Sequence, residues 1–149
     1  MFPSHDPELE KFLDDLFRDY SITDVCIEES LKAFREGGTN AEAMFKTTKL
    51  NFLCQFLVSK KGLKINELNV NNARSLAFPN FHKFARTVKG VPHKEIIFKF
   101  VLKELGEDFF PKKIISRGAN KGEEVYLEEA RDMADSFIIG KAFIKKSKA

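Results

Sequence analysis

Ile22-Thr23-Asp24-Val25-Cys26-Ile27-Glu28-Glu29-Ser30-Leu31-Lys32-Ala33-Phe34 is the stretch on which the fold turns. Taken as a helix, it has Thr23 as N-cap and Ile22 and Ile27 placed as a hydrophobic staple. Ile27, Leu31 and Phe34 then share one buried side, and Gly37-Gly38 ends the helix. Nothing in the stretch alternates polar and apolar residues cleanly, so this reading puts it in an all-α chain.

Helical spacing continues on both sides. Upstream, Leu9, Phe12, Leu13, Leu16, Phe17 and Tyr20 follow the i, i+3, i+4, i+7, i+8, i+11 rule of one helix face, with Asp6 as cap and Pro7 at the first helical position. Downstream, Thr39-Asn40-Ala41-Glu42 forms a capping box for a longer helix. Its inner side carries Phe45, Phe52, Leu53, Phe56 and Leu57, and it ends near Gly62. Residues 63–71 are less regular, and Asn69, Asn71 and Asn72 suit caps. A segment over 73–89 is interrupted at Phe78 by Pro79. The next helix, 93–105, buries Ile97, Phe100, Val101 and Leu105 and stops at Gly106. Phe109-Phe110-Pro111 opens a turn or short helix to Ser116, residues 117–122 form a polar loop, and a final helix runs from about Glu123 to Lys145. The expected fold is all-α: a compact bundle of six or seven helices in one domain over residues 1–149. Residues 1–20 form a helical arm free to move, and 123–149 a C-terminal helix with a basic tail.

The charge is segregated along the chain. Residues 1–45 hold four basic side chains against eleven acidic ones, a net of −7. Residues 46–121 hold sixteen against five, a net of +11, and the overall charge of +3 conceals both blocks. Clustered Lys and Arg gain affinity for polyanions by releasing counterions, so the middle block points to a polyanion partner. The acidic N-terminal block either screens that surface or meets it on a neighbouring copy.

With 149 residues the chain can bury a core without metal or disulfide staples. Sixteen Phe and no Trp imply mostly buried rings, since Phe has no polar handle. No apolar run approaches the ~20 residues of a membrane span, and no signal peptide is expected. Cys26 and Cys54 lack CxxC spacing and read as buried, reduced thiols, which points to a cytoplasmic or nuclear, reducing setting.

Catalysis finds little support. His5, His82 and His93 fall in no metal-ligand spacing, so neither a metal nor another cofactor is expected. The acidic pairs, such as Asp14-Asp15, read as solvated helix faces, and no phosphate-binding glycine motif exists. The expectation is a non-enzymatic protein.

The basic block offers more. Lys46, Lys49, Lys60, Lys61 and Lys64 trail the third helix, and Arg74, Lys83, Arg86 and Lys89 follow, the last three spaced i, i+3, i+6. Lys99 and Lys103 form an i, i+4 pair. Phe78, Phe81, Phe84, Phe109 and Phe110 lie between these cations, the combination that binders of single-stranded nucleic acid use for phosphates and unstacked bases. Single-stranded RNA is therefore the expected partner. The alternative is a helical adaptor whose basic face binds an acidic protein. On the N-terminal helix, Leu9, Phe12, Leu13, Leu16 and Phe17 form a face that either packs on its own domain or joins copies into a homo-oligomer.

The order of Glu10–Phe17, Thr23–Phe34, Gly37-Gly38, Phe52–Val58, Lys60-Lys61 and Asn72-Ala73-Arg74-Ser75-Leu76-Ala77-Phe78-Pro79 resembles that of the nucleocapsid proteins of phleboviruses and tenuiviruses, over about residues 8–90. Those proteins are much longer, and most of their C-terminal lobe has no counterpart in the resemblance. The resemblance implies a viral protein whose arm joins neighbouring protomers and whose basic groove sequesters single-stranded RNA. By position it makes Lys60, Lys61 and Lys64 groove cations, with Arg74 a lesser candidate.

Overall fold

The structure is a computed structural model and describes residues 6–29 and 41–148. Its elements in chain order are α1 (Pro7–Asp19), β1 (Asp24–Glu28), α2 (Ala41–Lys60), β2 (Lys64–Leu68), α3 (Val70–Ala77), α4 (Phe81–Thr87), α5 (His93–Leu105), a 3-10 turn (Glu107–Phe109), β3 (Lys112–Ile114), β4 (Glu124–Tyr126) and α6 (Glu129–Ser147). Backbone packing divides them into two compact units, one ending at Leu68 and the other beginning at Asn69.

The all-α expectation is corrected by two small sheets. In the first unit β1 pairs in parallel with β2, Asp24 opposite Lys64 and Glu28 opposite Leu68. Val25-Cys26-Ile27, assigned above to the second helix, is the middle of this strand, and all three residues are half-buried. Thr23 caps no helix there; its Oγ1 donates to Asp24 Oδ2 at 2.9 Å. Two β-branched residues around a small thiol suit a pleated ladder, and Ile65 and Leu68 supply a partner strand. A parallel pair needs a long crossover, which α2 supplies. Two bonds tie helix and ladder together: Asn51 Nδ2 donates to the Glu28 carbonyl at 2.9 Å, and Gln55 Nε2 to Glu67 Oε1 at 2.5 Å. Leu31, Phe34, the Gly37-Gly38 turn and the Thr39-Asn40 cap lie outside the described residues.

Asp6 caps α1 as expected, its carboxylate accepting from the backbone N–H groups of Glu8 and Leu9. On α2 only part of the expected inner side is inside. Leu53 and Leu57 are buried, whereas Phe45, Phe52 and Phe56 are exposed.

In the second unit the break at Phe78-Pro79 separates α3 from α4. Asn69 caps α3 by accepting from the N–H groups of Asn71 and Asn72. α3 packs chiefly on α6. Ala73 and Ala77 on one helix and Ala130, Ala134 and Ala142 on the other are all buried, so small side chains let the backbones approach. α5 occupies the expected span, but Ile96 and Phe98 join Ile97 and Val101 in the core while Phe100 and Leu105 stay half-buried. β3 and β4 form an antiparallel hairpin, Lys112 opposite Tyr126. They replace a turn or helix to Ser116 and the first turns of the final helix. Gly118 and Gly122, at φ of 89° and 92°, let the chain reverse between them, and α6 begins only at Glu129.

Four pairs of charged side chains fasten α6. Arg74 meets Asp135 at 3.0 Å and Lys94 meets Asp132 at 2.6 Å. Lys141 pairs with Glu104, and Arg131 donates from Nε and Nη2 to the two carboxylate oxygens of Glu95. The Arg131 hydrogen bonds hold the Glu95 carboxyl below its ordinary 4.5. A lowered folded value means a contribution that is present above 4.5 and lost as the pH falls through the folded value. Glu95→Gln is expected to cost about 1–2 kcal/mol at pH 7. In urea unfolding, the gap to the unsubstituted protein should narrow steadily below pH 4.5; a gap independent of pH would show that the charge contributes nothing.

Candidate nucleic-acid interface

Each unit carries its own cations, and the structure treats them differently. In the first unit nearly every candidate faces an acid. Lys46 pairs with Glu42 at 2.7 Å, one turn away on α2. Lys60 reaches Glu10 at 3.2 Å and Lys61 reaches Asp14 at 2.5 Å, both on α1. Lys49 lines a cleft that Asp6 and Glu8 also line, and Lys64 sits opposite Asp24 in the ladder. The acidic N-terminal block thus screens this unit's basic residues from within the same unit. Exposed pairs of this kind contribute only ~0.2–1 kcal/mol each.

In the second unit Arg74 leaves the candidate surface. Its side chain is 11% exposed and its partner Asp135 17%, so it is a packed element of the α3–α6 contact. Lys83, Arg86, Lys99 and Lys103 are exposed, and among the described residues none forms an ion pair. Lys89 shares that freedom but lies beyond the end of α4, in the turn before α5, so the i, i+3, i+6 row is not one helical face.

Lys99 and Lys103 line a groove of about 350 Å³ whose other walls are Phe84 and Val88 from α4 and its exit, Val91 from the turn, and Ile96 and Phe100 from α5. Four Phe rings support it: Phe100 lies 5.3 Å from Phe78, 6.3 Å from Phe81 and 5.4 Å from Phe84, all tilted or edge-on. Phe81 is fully buried, whereas Phe84 is 47% exposed and offers ring surface at the groove. The acids of α5 are engaged elsewhere, Glu95 with Arg131 and Glu104 with Lys141, so they do not neutralise the groove lysines by direct pairing. A volume of this size suits a base or a small apolar side-chain cluster.

Of the other interleaved rings, Phe110 is buried against Phe98, and Phe109 is exposed. The groove residues Val88, Val91, Ile96 and Phe100 were not among the candidate contacts. The usable signal for them was the pairing of Lys99 and Lys103 on the helix that also holds Ile96 and Phe100. On α1, Leu9, Leu13, Leu16 and Phe17 are half-buried and Phe12 is 60% exposed, so the proposed association face is only partly covered within its unit.

Among the described residues, no three His, Cys, Asp or Glu side chains cluster to hold a metal, and no helix is long and apolar enough to cross a membrane. Cys26 and Cys54 are partly exposed rather than buried. Desolvation pushes both thiols up, aided at Cys26 by the charge of Asp24. No protein-family model, curated protein or solved structure matches the chain.

Proposed function

We propose that the chain is a non-enzymatic RNA-binding protein that takes single strands without reading their sequence. Lys83, Arg86, Lys99 and Lys103 contact phosphates, and the α4–α5 groove receives an unstacked base against Phe84. Copies associate through the apolar face of α1, in the manner of a nucleocapsid. The observation that carries this reading is the groove itself, where exposed aromatic surface occurs together with two lysines that have no acidic partner among the described residues.

The test is single-stranded RNA binding to purified, nuclease-treated protein across a salt series. A steep fall of log affinity with log salt, reduced when Lys99 and Lys103 are neutralised, is the expected result. No binding at low salt would overturn the reading.

A second reading is favoured by the aliphatic share of the groove wall, Val88, Val91 and Ile96. Here the chain is an adaptor, and the groove holds the apolar side of an acidic partner segment. It predicts saturable binding of a protein and little retention of RNA.

A further inference from the structure

We propose that the basic flank of α2 is a second polyanion site and that α1 is its resident occupant, displaced by the phosphodiester backbone of a bound strand. This rests on the RNA-binding reading and extends it from the α4–α5 groove to the first unit. Glu10 and Asp14 stand one turn apart on α1, so both face the same way, and they meet Lys60 at the end of α2 and Lys61 in the turn that follows. Further along the same helix pair, Asp6 and Glu8 line a cleft of about 460 Å³ with Lys46, Lys49, Leu50 and Leu53. Two carboxylates of α1 thus stand where two phosphates would, while at the cleft Lys46 is held by Glu42 of α2 itself.

α1 is held loosely enough to leave. None of its residues is buried, and Phe12 and the adjoining Tyr20 are exposed. Lys60, Lys61 and Asp14 are solvent-exposed and Glu10 is half-buried, and residues 21–23 connect α1 to β1 without regular structure. The counterions condense on the strand's phosphates and leave only where lysines reach those phosphates, and a lysine held by a carboxylate of α1 must first give up that partner. A strand at this site therefore gains less affinity than free lysines would give, the difference being the cost of releasing the α1 carboxylates. The site is masked thermodynamically while remaining open to exchange.

The experiment compares the full chain with Glu10→Gln/Asp14→Asn in binding a single-stranded RNA oligonucleotide across a salt series. Asp15→Asn/Asp19→Asn serves as control: it makes the same charge change on α1, at two acids that bind Arg18 instead of α2. Unmasking two lysines should steepen the log–log slope by up to about 1.4 and tighten binding by about 2- to 30-fold at low salt, the range that two exposed ion pairs can hold back. The control should gain much less, and adding Lys60→Gln/Lys61→Gln to the unmasked variant should remove the gain. Intact RNA binding with an unchanged slope in Glu10→Gln/Asp14→Asn overturns this site and leaves the groove standing. An equal gain in the control also overturns it, because net charge would then account for the effect. Absence of RNA binding in every variant overturns both the site and the reading beneath it.

Discussion

Phe81→Ala should destabilise the second unit by about 3–5 kcal/mol, the range for deleting a fully buried ring. Phe81 has no exposed surface and touches three rings, with centroids 5.0 Å from His82, 5.7 Å from His93 and 6.3 Å from Phe100. Those partners belong to α4 and α5, so the ring fixes the separation of the two helices that form the groove. Domains of this size have ~5–15 kcal/mol to lose, so much of the unit's stability would go. The measurement is urea unfolding followed by near-ultraviolet and far-ultraviolet circular dichroism. Phe84→Ala is the informative contrast. Its ring is half exposed and lies at the groove surface, so it should lose about 1 kcal/mol or less. In RNA binding the order reverses for the folded proteins, Phe84→Ala losing the stacking surface, worth ~1–3 kcal/mol per base. Equal unfolding midpoints for the two variants would show that Phe81 does not organise the α4–α5 pair.

The parts of the fold legible in the sequence are those set by local chemistry. Asp6 before Pro7, Pro79 after Phe78, and Gly106 after Leu105 act within a turn of their own position, and the structure places boundaries at each. β1 was not legible, because its partner β2 begins forty positions along the chain and three consecutive half-buried residues carry neither helical nor alternating period. Ile22 and Ile27 satisfy the spacing of a staple by coincidence. The hairpin strands are only three residues each, too short for periodicity to register.

The same division runs through the candidate site. Lys99 and Lys103 were legible as an i, i+4 pair on a helix whose ends were themselves legible. Arg74 shows one limit: its partner Asp135 lies 61 residues away, and charge in a sequence does not reveal pairing. Lys60 and Lys61 show the other limit. Their block sums to +11, yet their nearest acids come from the block that sums to −7. Segregation along the chain became neutralisation in space in the first unit. In the second, α5 commits its acids to α6, and its groove lysines form no ion pair among the described residues.

That asymmetry sets the size of the second large effect, expected for Lys99→Gln/Lys103→Gln. Each phosphate neutralised on a single strand contributes a slope of about −0.7 in log affinity against log salt. Two lost contacts should therefore flatten the slope by about 1.4 and weaken binding by about 60-fold at 50 mM salt and about 10-fold at 200 mM. Folding should be little changed, because both side chains are exposed and neither forms an ion pair among the described residues. Arg74→Gln gives the opposite pattern. Removing it strands Asp135 at a largely buried position, so stability should fall by about 3 kcal/mol, with a slope unchanged in the protein that remains folded. Equal slopes for Lys99→Gln/Lys103→Gln and the unsubstituted chain would take the groove out of RNA binding. Saturable binding of an acidic protein, lost in the same double variant, would then identify the groove as an adaptor surface.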